Sequence, residues 1–158
     1  MLTWADFRNA RPDLAEAGRE LLYQFGVGLA FLSTVRKDGG PRVHPMCPLV
    51  VDGRLLAFLI PSPKANDLKR DPRFAMHSFS RPNDEDAFYI TGHASLHDGA
   101  DFRERAATQF WQERQANAHP PEFDQQLLFE FFVETAMLTR TTGHGDPDPQ
   151  HTIWHAGR

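Results

Sequence analysis

Apolar residues follow two rhythms along the chain. From Leu29 to Leu96 they come in short runs of strand period, cut by Gly, Pro and Asp. The run Leu55-Leu56-Ala57-Phe58-Leu59-Ile60 is apolar at every position, which predicts a strand buried on both faces, and it stops at Pro61. Two strands precede it, Leu29–Arg36 and Pro41–Val51. Lys37-Asp38-Gly39-Gly40 and Asp52-Gly53 are the hairpin turns, each with a glycine where positive φ is needed. Arg73–Phe79 reads as a fourth strand. In Phe88–Leu96 the even positions are apolar or small and Tyr89, Thr91, His93 and Ser95 alternate with them, which gives a strand with one wet side. A sixth strand covers about Leu127–Arg140, with Leu127, Phe129, Phe131, Val133 and Met137 toward the core and Phe132 and Leu138 on the other face, toward another element or another subunit. The apolar residues on both faces of this strand and of Leu55–Ile60 exceed what one core encloses and suggest an apolar subunit contact.

The second rhythm is helical. Thr3-Trp4-Ala5-Asp6-Phe7 predicts a capped turn, and Pro12 to about Phe25 a longer helix with Leu14, Leu21, Leu22 and Phe25 on one side. Asp98-Gly99 leads into a third helix, capped by Asp101 and Glu104, with Phe102, Ala106 and Phe110 at i+4 spacing. Asn117–Glu122, with Pro120-Pro121, is a connector, and Ser80–Asp86 an exposed acidic loop. Gly143–Pro149 is expected to be mobile, while Ile153-Trp154-His155 is too apolar to be free and should dock. The chain therefore reads as one domain, 1–158, with N-terminal helices over 3–25 and a docking tail over 141–158.

The candidate chemistry follows the all-apolar strand. Ser62 is a favoured N-cap, Pro63 suits the first helical position, and Asp71-Pro72 closes the short helix about two turns later. Lys64 places a cation in the first turn, against the helix dipole, unless an anion sits there. A strand end, a serine hydroxyl, open backbone N–H groups and a lysine describe a phosphate cradle. The same residues also describe an ordinary surface helix; the flanking hairpins weigh toward the cradle.

Composition narrows the choice. The 158 residues are enough for one real core, and thirteen phenylalanines favour a sheet core. A formal charge of −4 gives no polyanion footprint, so nucleic acid is not expected as a partner, although Arg36, Lys37 and Arg42 leave room for a small phosphorylated ligand. One cysteine, Cys47, excludes an internal disulfide framework and reads as a small buried hydrophobe. Asp6, Arg8, Arg11 and Asp13 interrupt any signal-peptide run and no stretch of membrane-spanning length is apolar, so a cytoplasmic protein without a membrane partner is expected.

Eight histidines raise the question of a metal. His93 and His97 are four apart, but on a strand their Cα atoms lie roughly 13 Å from each other, too far for one ion. His144, His151 and His155 fall in the tail, where solvent exposure explains them, and no metal site is expected. His44 and His77 lie on strands near the cradle and suit either a ligand contact or a structural role. No Ser-His-Asp order, Walker loop or GxGxxG element is present.

The succession Val35-Arg36-Lys37-Asp38-Gly39-Gly40-Pro41-Arg42-Val43-His44-Pro45, then Asp52-Gly53-Arg54-Leu55, then Ser62-Pro63-Lys64-Ala65-Asn66-Asp67-Leu68-Lys69-Arg70-Asp71-Pro72-Arg73 resembles the pyridoxamine 5'-phosphate oxidase-like, FMN-binding split-barrel flavoproteins. The resemblance covers about Gly28 to Leu96. It implies a mainly β fold with flanking helices, a six-stranded antiparallel split barrel of Greek-key type. It also implies a homodimer and a flavin mononucleotide (FMN) or a deazaflavin at the dimer interface.

The family's Ser-x-Lys grip on the cofactor phosphate maps onto Ser62 and Lys64, with the Ala65 amide beside them, and its assisting basic residue onto Arg42. Backbone along Val43, His44, Pro45 and Met46 would run beside the ring, with Ile60 and Pro61 at its other edge. Relatives end in a tryptophan and a basic residue near the flavin, and Trp154 and His155 stand in those places. The arginine-rich motif with which true pyridoxamine phosphate oxidases hold their substrate has no clear counterpart in Trp154-His155-Ala156-Gly157-Arg158. The implied activity is hydride transfer to or from a small molecule, with no acid or base assigned. A deazaflavin-dependent reductase and a non-catalytic barrel that binds flavin or haem are the alternatives.

Overall fold

The computed structural model describes residues 1–157, so Arg158, the last residue of the docking tail, lies outside the described residues. Two helices, α1 (Trp4–Ala10) and α2 (Pro12–Leu22), lead into a sheet of β1 (Ala30–Val35), β2 (Pro41–Met46), β3 (Leu49–Val51) and β4 (Arg54–Leu59). After α3 (Pro63–Arg70) come β5 (Arg73–Ser78), β6 (Ala87–Leu96), α4 (Ala100–Gln112), a 3-10 turn (Pro121–Gln125), β7 (Leu127–Arg140) and β8 (Gln150–His155). Every pairing is antiparallel, in the order β2-β1-β5-β6-β7-β4-β3, with β8 added beside the second half of β7. No described helix is long and apolar enough to cross a membrane.

The sheet has eight strands where the sequence predicted six, and each extra strand has a physical cause. Pro41–Val51 breaks at Cys47-Pro48 because proline has no N–H to continue a ladder, and the chain there changes partner from β1 to β4. The expected docking tail is a strand, Gln150–His155, registered from Thr135↔His155 to Arg140↔Gln150. His151 and His155, expected to be solvent-exposed tail, lie on that strand, where Thr139 and Thr135 hydroxyls meet their Nδ1 atoms at 2.9 and 3.2 Å. Gly143–Pro149 is organised by Asp146, whose carboxylate accepts from the Thr142 amide and hydroxyl and from the Asp148 amide.

The all-apolar strand does divide its side chains between two cores. Leu55, Ala57 and Leu59 of β4 join the main cluster with Leu32, Met76, Ile90, Phe129, Phe131 and the helical residues Trp4, Phe7, Leu21 and Leu22. Leu56 and Phe58 join a second cluster with Leu49, Ala106, Phe123 and Leu128 beneath α4. The second apolar face, which the sequence suggested for a partner subunit, is thus covered within the chain.

Two helix ends differ from expectation. α1 has the predicted cap, a Thr3–Asp6 capping box, but the N-cap of α4 is Gly99, which offers no side chain, and Asp101 sits in the first turn. α2 ends at Leu22, so Phe25 lies beyond it and is 54% exposed.

Strand β7 changes phase at a bulge. Thr91 faces Thr135 and Gly92 faces Val133, which leaves Glu134 as the extra residue. Phe129, Phe131 and Val133 face the main core before it; after it Ala136 and Leu138 do, and Met137, assigned inward by strict alternation, faces out. A β-carbon on Gly92 would stand 1.8 Å from the Phe132 carbonyl oxygen, so the bulge needs glycine for close approach.

Candidate functional site

The sequence places the start of α3 at the end of β4, and so does the structure. Ser62 is the N-cap in extended conformation, Pro63 begins the helix, and Asp71 closes it. The Asn66 amide donates to the Ser62 carbonyl at 3.0 Å, so the amides of Lys64 and Ala65, in the turn before it, have no helical acceptor. Nothing within the helix compensates them: the Ser62 side chain makes no cap bond and the first turn carries no acidic residue.

The Ser62 hydroxyl oxygen is itself buried, with no hydrogen-bond partner among the described residues. A buried hydroxyl without a partner is costly, and it is an unsatisfied polar group at this helix start. Lys64 is half-buried and makes no ion pair among the described residues. Burial pushes its ammonium down from the ordinary lysine range, with the nearby Cys47 acting in the opposite direction. An orphaned hydroxyl, open amides and an uncompensated cation at one helix start fit a phosphate group.

Arg42 reaches the same helix by another route. Its Nε donates to Asp67 Oδ2 at 2.7 Å, so the basic residue expected to assist the phosphate is paired with a carboxylate one turn further along α3. Asp67 also accepts from Thr34 Oγ1 at 3.0 Å and from Arg70 at 3.1 Å, and Arg70 in turn bonds the Val35 carbonyl. Burial raises the Asp67 carboxyl, and the bonds from Arg42, Arg70 and Thr34 more than offset this and hold it below the usual carboxylate range. Arg36, Lys37, Asp38, Arg42 and Asp67 line an open cavity of about 420 Å³ beside this knot.

The other predicted site residues sort by exposure. Val43, His44 and Pro45 of β2 and Ile60 and Pro61 after β4 are all exposed, Val43 at 58% and Ile60 at 57%. Met46 and Ala65 have their side chains in the main core, which leaves only their backbone groups for a ligand contact. Trp154 is not brought to the cradle within this chain: its ring packs 5.0 Å from Phe7 against the main core. Asp67 is the functional residue that sequence reasoning passed over, and the signal for it was an acid inside a short helix three residues before Arg70.

No family model and no curated protein matches the chain, whereas solved structures do. It is similar to a pyridoxamine 5'-phosphate oxidase-related, FMN-binding protein from Nostoc punctiforme PCC 73102, with a TM-score of 0.61 and 17% identity over 96% of this chain and 91% of that one. A protein related to general stress protein 26, of the pyridoxinephosphate oxidase family, from Clostridium acetobutylicum gives a TM-score of 0.64 and 13% identity over 90% and 94%. A heme-binding protein from Mycobacterium smegmatis gives 0.60 and 14% over 86% of this chain, which spans 57% of that protein. The fold is that of the pyridoxamine 5'-phosphate oxidase-like split barrels, as the sequence resemblance implied.

Proposed function

We propose that the protein is an FMN-dependent oxidoreductase that holds the cofactor phosphate at the start of α3. The observation that carries this reading is Ser62 Oγ, buried and unpaired beside open amides and the uncompensated Lys64. In this reading Ser62 Oγ and the Lys64 and Ala65 amides donate to the phosphate, and the Lys64 ammonium neutralises it. Arg42 acts through Asp67 as a positioning residue that ties β2 to α3. The exposed stretch Val43–Pro45 and the Ile60-Pro61 corner bind the ring. FMN, when bound, supplies hydride transfer to or from a small substrate. The solved neighbour described as FMN-binding supports this choice, and the haem-binding neighbour keeps haem as the alternative that the absorption spectrum distinguishes.

The reading includes a homodimer. Cross-strand register lines up Pro45, Phe31, His77, Tyr89, Met137 and Ile153 across six strands, on the face opposite Leu32, Met76 and Ile90. Phe31 stacks on Phe79 at 4.1 Å and is still 38% exposed, and Ile153 is 54% exposed. A second copy of this face is the proposed cover, which places the outer sheet at the subunit contact. Phe31→Glu should give a folded monomer in sedimentation, and a monomeric wild type at micromolar concentration would refute the dimer.

Titration of FMN and riboflavin into wild type and Lys64→Ala tests the cofactor site. Loss of one charge-assisted contact of about 1.5–3 kcal/mol should weaken FMN by tenfold to a hundredfold or more and leave riboflavin unchanged. Equal FMN binding by both proteins would reject the cradle.

A further inference from the structure

The sheet ends at three strands: β2 and β3 close its order, and β8 lies outermost beside β7. In an antiparallel pair, alternate residues turn their N–H and C=O toward the neighbour and the others turn them away, so the register tells which backbone groups each edge leaves open. On β2, the Arg36 amide bonds the Gly40 carbonyl just beyond the Val35↔Pro41 pair, which leaves Pro41, Val43 and Pro45 facing outward. Both prolines lack an N–H, so this edge is blocked. On β3 the outward residue is Val50. Its amide donates to the Tyr23 hydroxyl at 2.8 Å and its carbonyl accepts from Gln109 Nε2 at 3.0 Å, so this edge is capped within the chain.

β8 has neither protection. The Ala156 amide bonds the Glu134 carbonyl just beyond the Thr135↔His155 pair, so Thr152 and Trp154 bond β7 while His151, Ile153 and His155 turn their N–H and C=O outward. No described residue bonds these groups, and all three residues are exposed. The strand Gln-His-Thr-Ile-Trp-His also carries no proline, lysine, arginine or carboxylate, the residues that ordinarily keep an edge from pairing.

The geometry says what fits there. About a two-fold axis through Ile153, His151 lies opposite the partner's His155 and Ile153 opposite the partner's Ile153, so every outward residue exchanges both of its bonds at once. A charged peptide finds no counter-charge along β8, whereas a second copy brings the same uncharged strand and an isoleucine, 54% exposed, to bury against its twin.

We propose that β8 is a self-docking edge at which two copies join antiparallel, centred on Ile153, into one continuous sheet. The contact uses main-chain groups in the plane of the sheet, so it rests neither on the outer-face dimer nor on the cofactor reading. It buries less area than a standard interface, and association is expected at about 0.1–1 mM, above the micromolar range of the outer-face contact.

Phe31→Glu, which removes the outer-face contact, isolates the edge. Followed by sedimentation and amide hydrogen exchange from about 10 µM to about 1 mM, it should pass from monomer to dimer. In the dimer the amides of His151, Ile153 and His155 should exchange about tenfold more slowly or better, while those of Thr152 and Trp154, bonded to β7, are slow at every concentration. Adding Ile153→Pro removes the central N–H without touching the β7 ladder, as Pro41 and Pro45 do on β2, and should keep the protein monomeric. Adding His151→Lys and His155→Lys instead sets like charges opposite each other and should do the same without a new proline. A monomer at about 1 mM, a dimer that survives either set of substitutions in folded protein, or a dimer whose three outward amides exchange as in the monomer would overturn the proposal. A wild type that is monomeric at micromolar concentration refutes the outer-face dimer alone, and the same series run on wild type then decides the edge.

Discussion

Arg42 on β2 and Asp67 on α3 meet at 2.7 Å, and this pair holds the cradle helix against the sheet. The Asp67 side chain is 5% exposed and that of Arg42 27%, so the carboxylate is the buried member and depends on its donors. Thr34 and Arg70 complete its coordination from β1 and from α3 itself. One carboxylate therefore ties the helix that carries Ser62 and Lys64 to β2 and β1.

Asp67→Asn should cost about 1.5–3 kcal/mol, because hydrogen bonds to a charged group become ordinary ones while the side chain keeps its size. The pH dependence has a definite sign. Asp86, expected in an exposed loop, is buried and accepts from Arg140 and Thr141. Asp67 and Asp86 both lie below the usual carboxylate range; in each, burial raises the carboxyl, and arginine and threonine donors more than offset it. A folded pKa below the unfolded one gives stability that is present above the unfolded value, about 3.9, and is lost as pH falls through the folded value. Thermal melts of wild type should therefore drop below about pH 4, and Asp67→Asn should show a shallower drop. Parallel curves for the two proteins would mean that Asp67 is not a source of the acid sensitivity.

Gly92→Ala should be among the most damaging single-atom changes in the sheet. The new methyl meets the Phe132 carbonyl oxygen at 1.8 Å, and that oxygen belongs to backbone held by the bulge, so it has nowhere to turn. A loss of about 3 kcal/mol or more is expected in denaturant unfolding. A loss below about 1 kcal/mol would show that β7 slides to remove the bulge and that its register is soft.

That bulge marks where the sequence stops being legible. Strands such as Ala30–Val35, Arg54–Leu59 and Ala87–Leu96 were readable because their alternation, or its absence in the double-faced β4, follows directly from what each face touches. In β7 the pattern is shifted by Glu134, and nothing in Phe132-Val133-Glu134-Thr135 announces an extra residue, so Met137 was assigned to the wrong side. The Cys47-Pro48 break and β8 were missed for a related reason: a change of pairing partner is a tertiary event, and Gln150–His155 is mostly polar or exposed along its length.

At the site, the capping residue, the proline and the lysine of α3 were readable because they act locally. The pairing of Arg42 with Asp67 was not readable because the two lie 25 residues apart in sequence. The apolar surplus of β4 was assigned to a subunit contact because Phe102, Phe110 and Phe123, which flank or form part of the second core, are scattered along a helix and a 3-10 turn.

Ser62 allows the cradle to be tested in two opposite directions at once. Its hydroxyl is buried, unpaired and makes no cap bond, so Ser62→Ala removes a desolvated group without removing an interaction. The empty protein should keep its stability or gain up to about 1–2 kcal/mol, in contrast to the loss of about 1 kcal/mol usual when a working serine cap is deleted. FMN affinity should nevertheless fall by about tenfold while riboflavin affinity stays unchanged. Ser62→Asp sharpens the contrast. A carboxylate there can accept from the open amides and complement the helix dipole, so the empty protein should become more stable by about 1 kcal/mol, while the same charge repels a phosphate and FMN binding should be lost. Stability and affinity then move apart in both variants, which an ordinary surface helix has no means of producing. If Ser62→Asp binds FMN as wild type does, the phosphate lies elsewhere and Ser62 is only an imperfect cap.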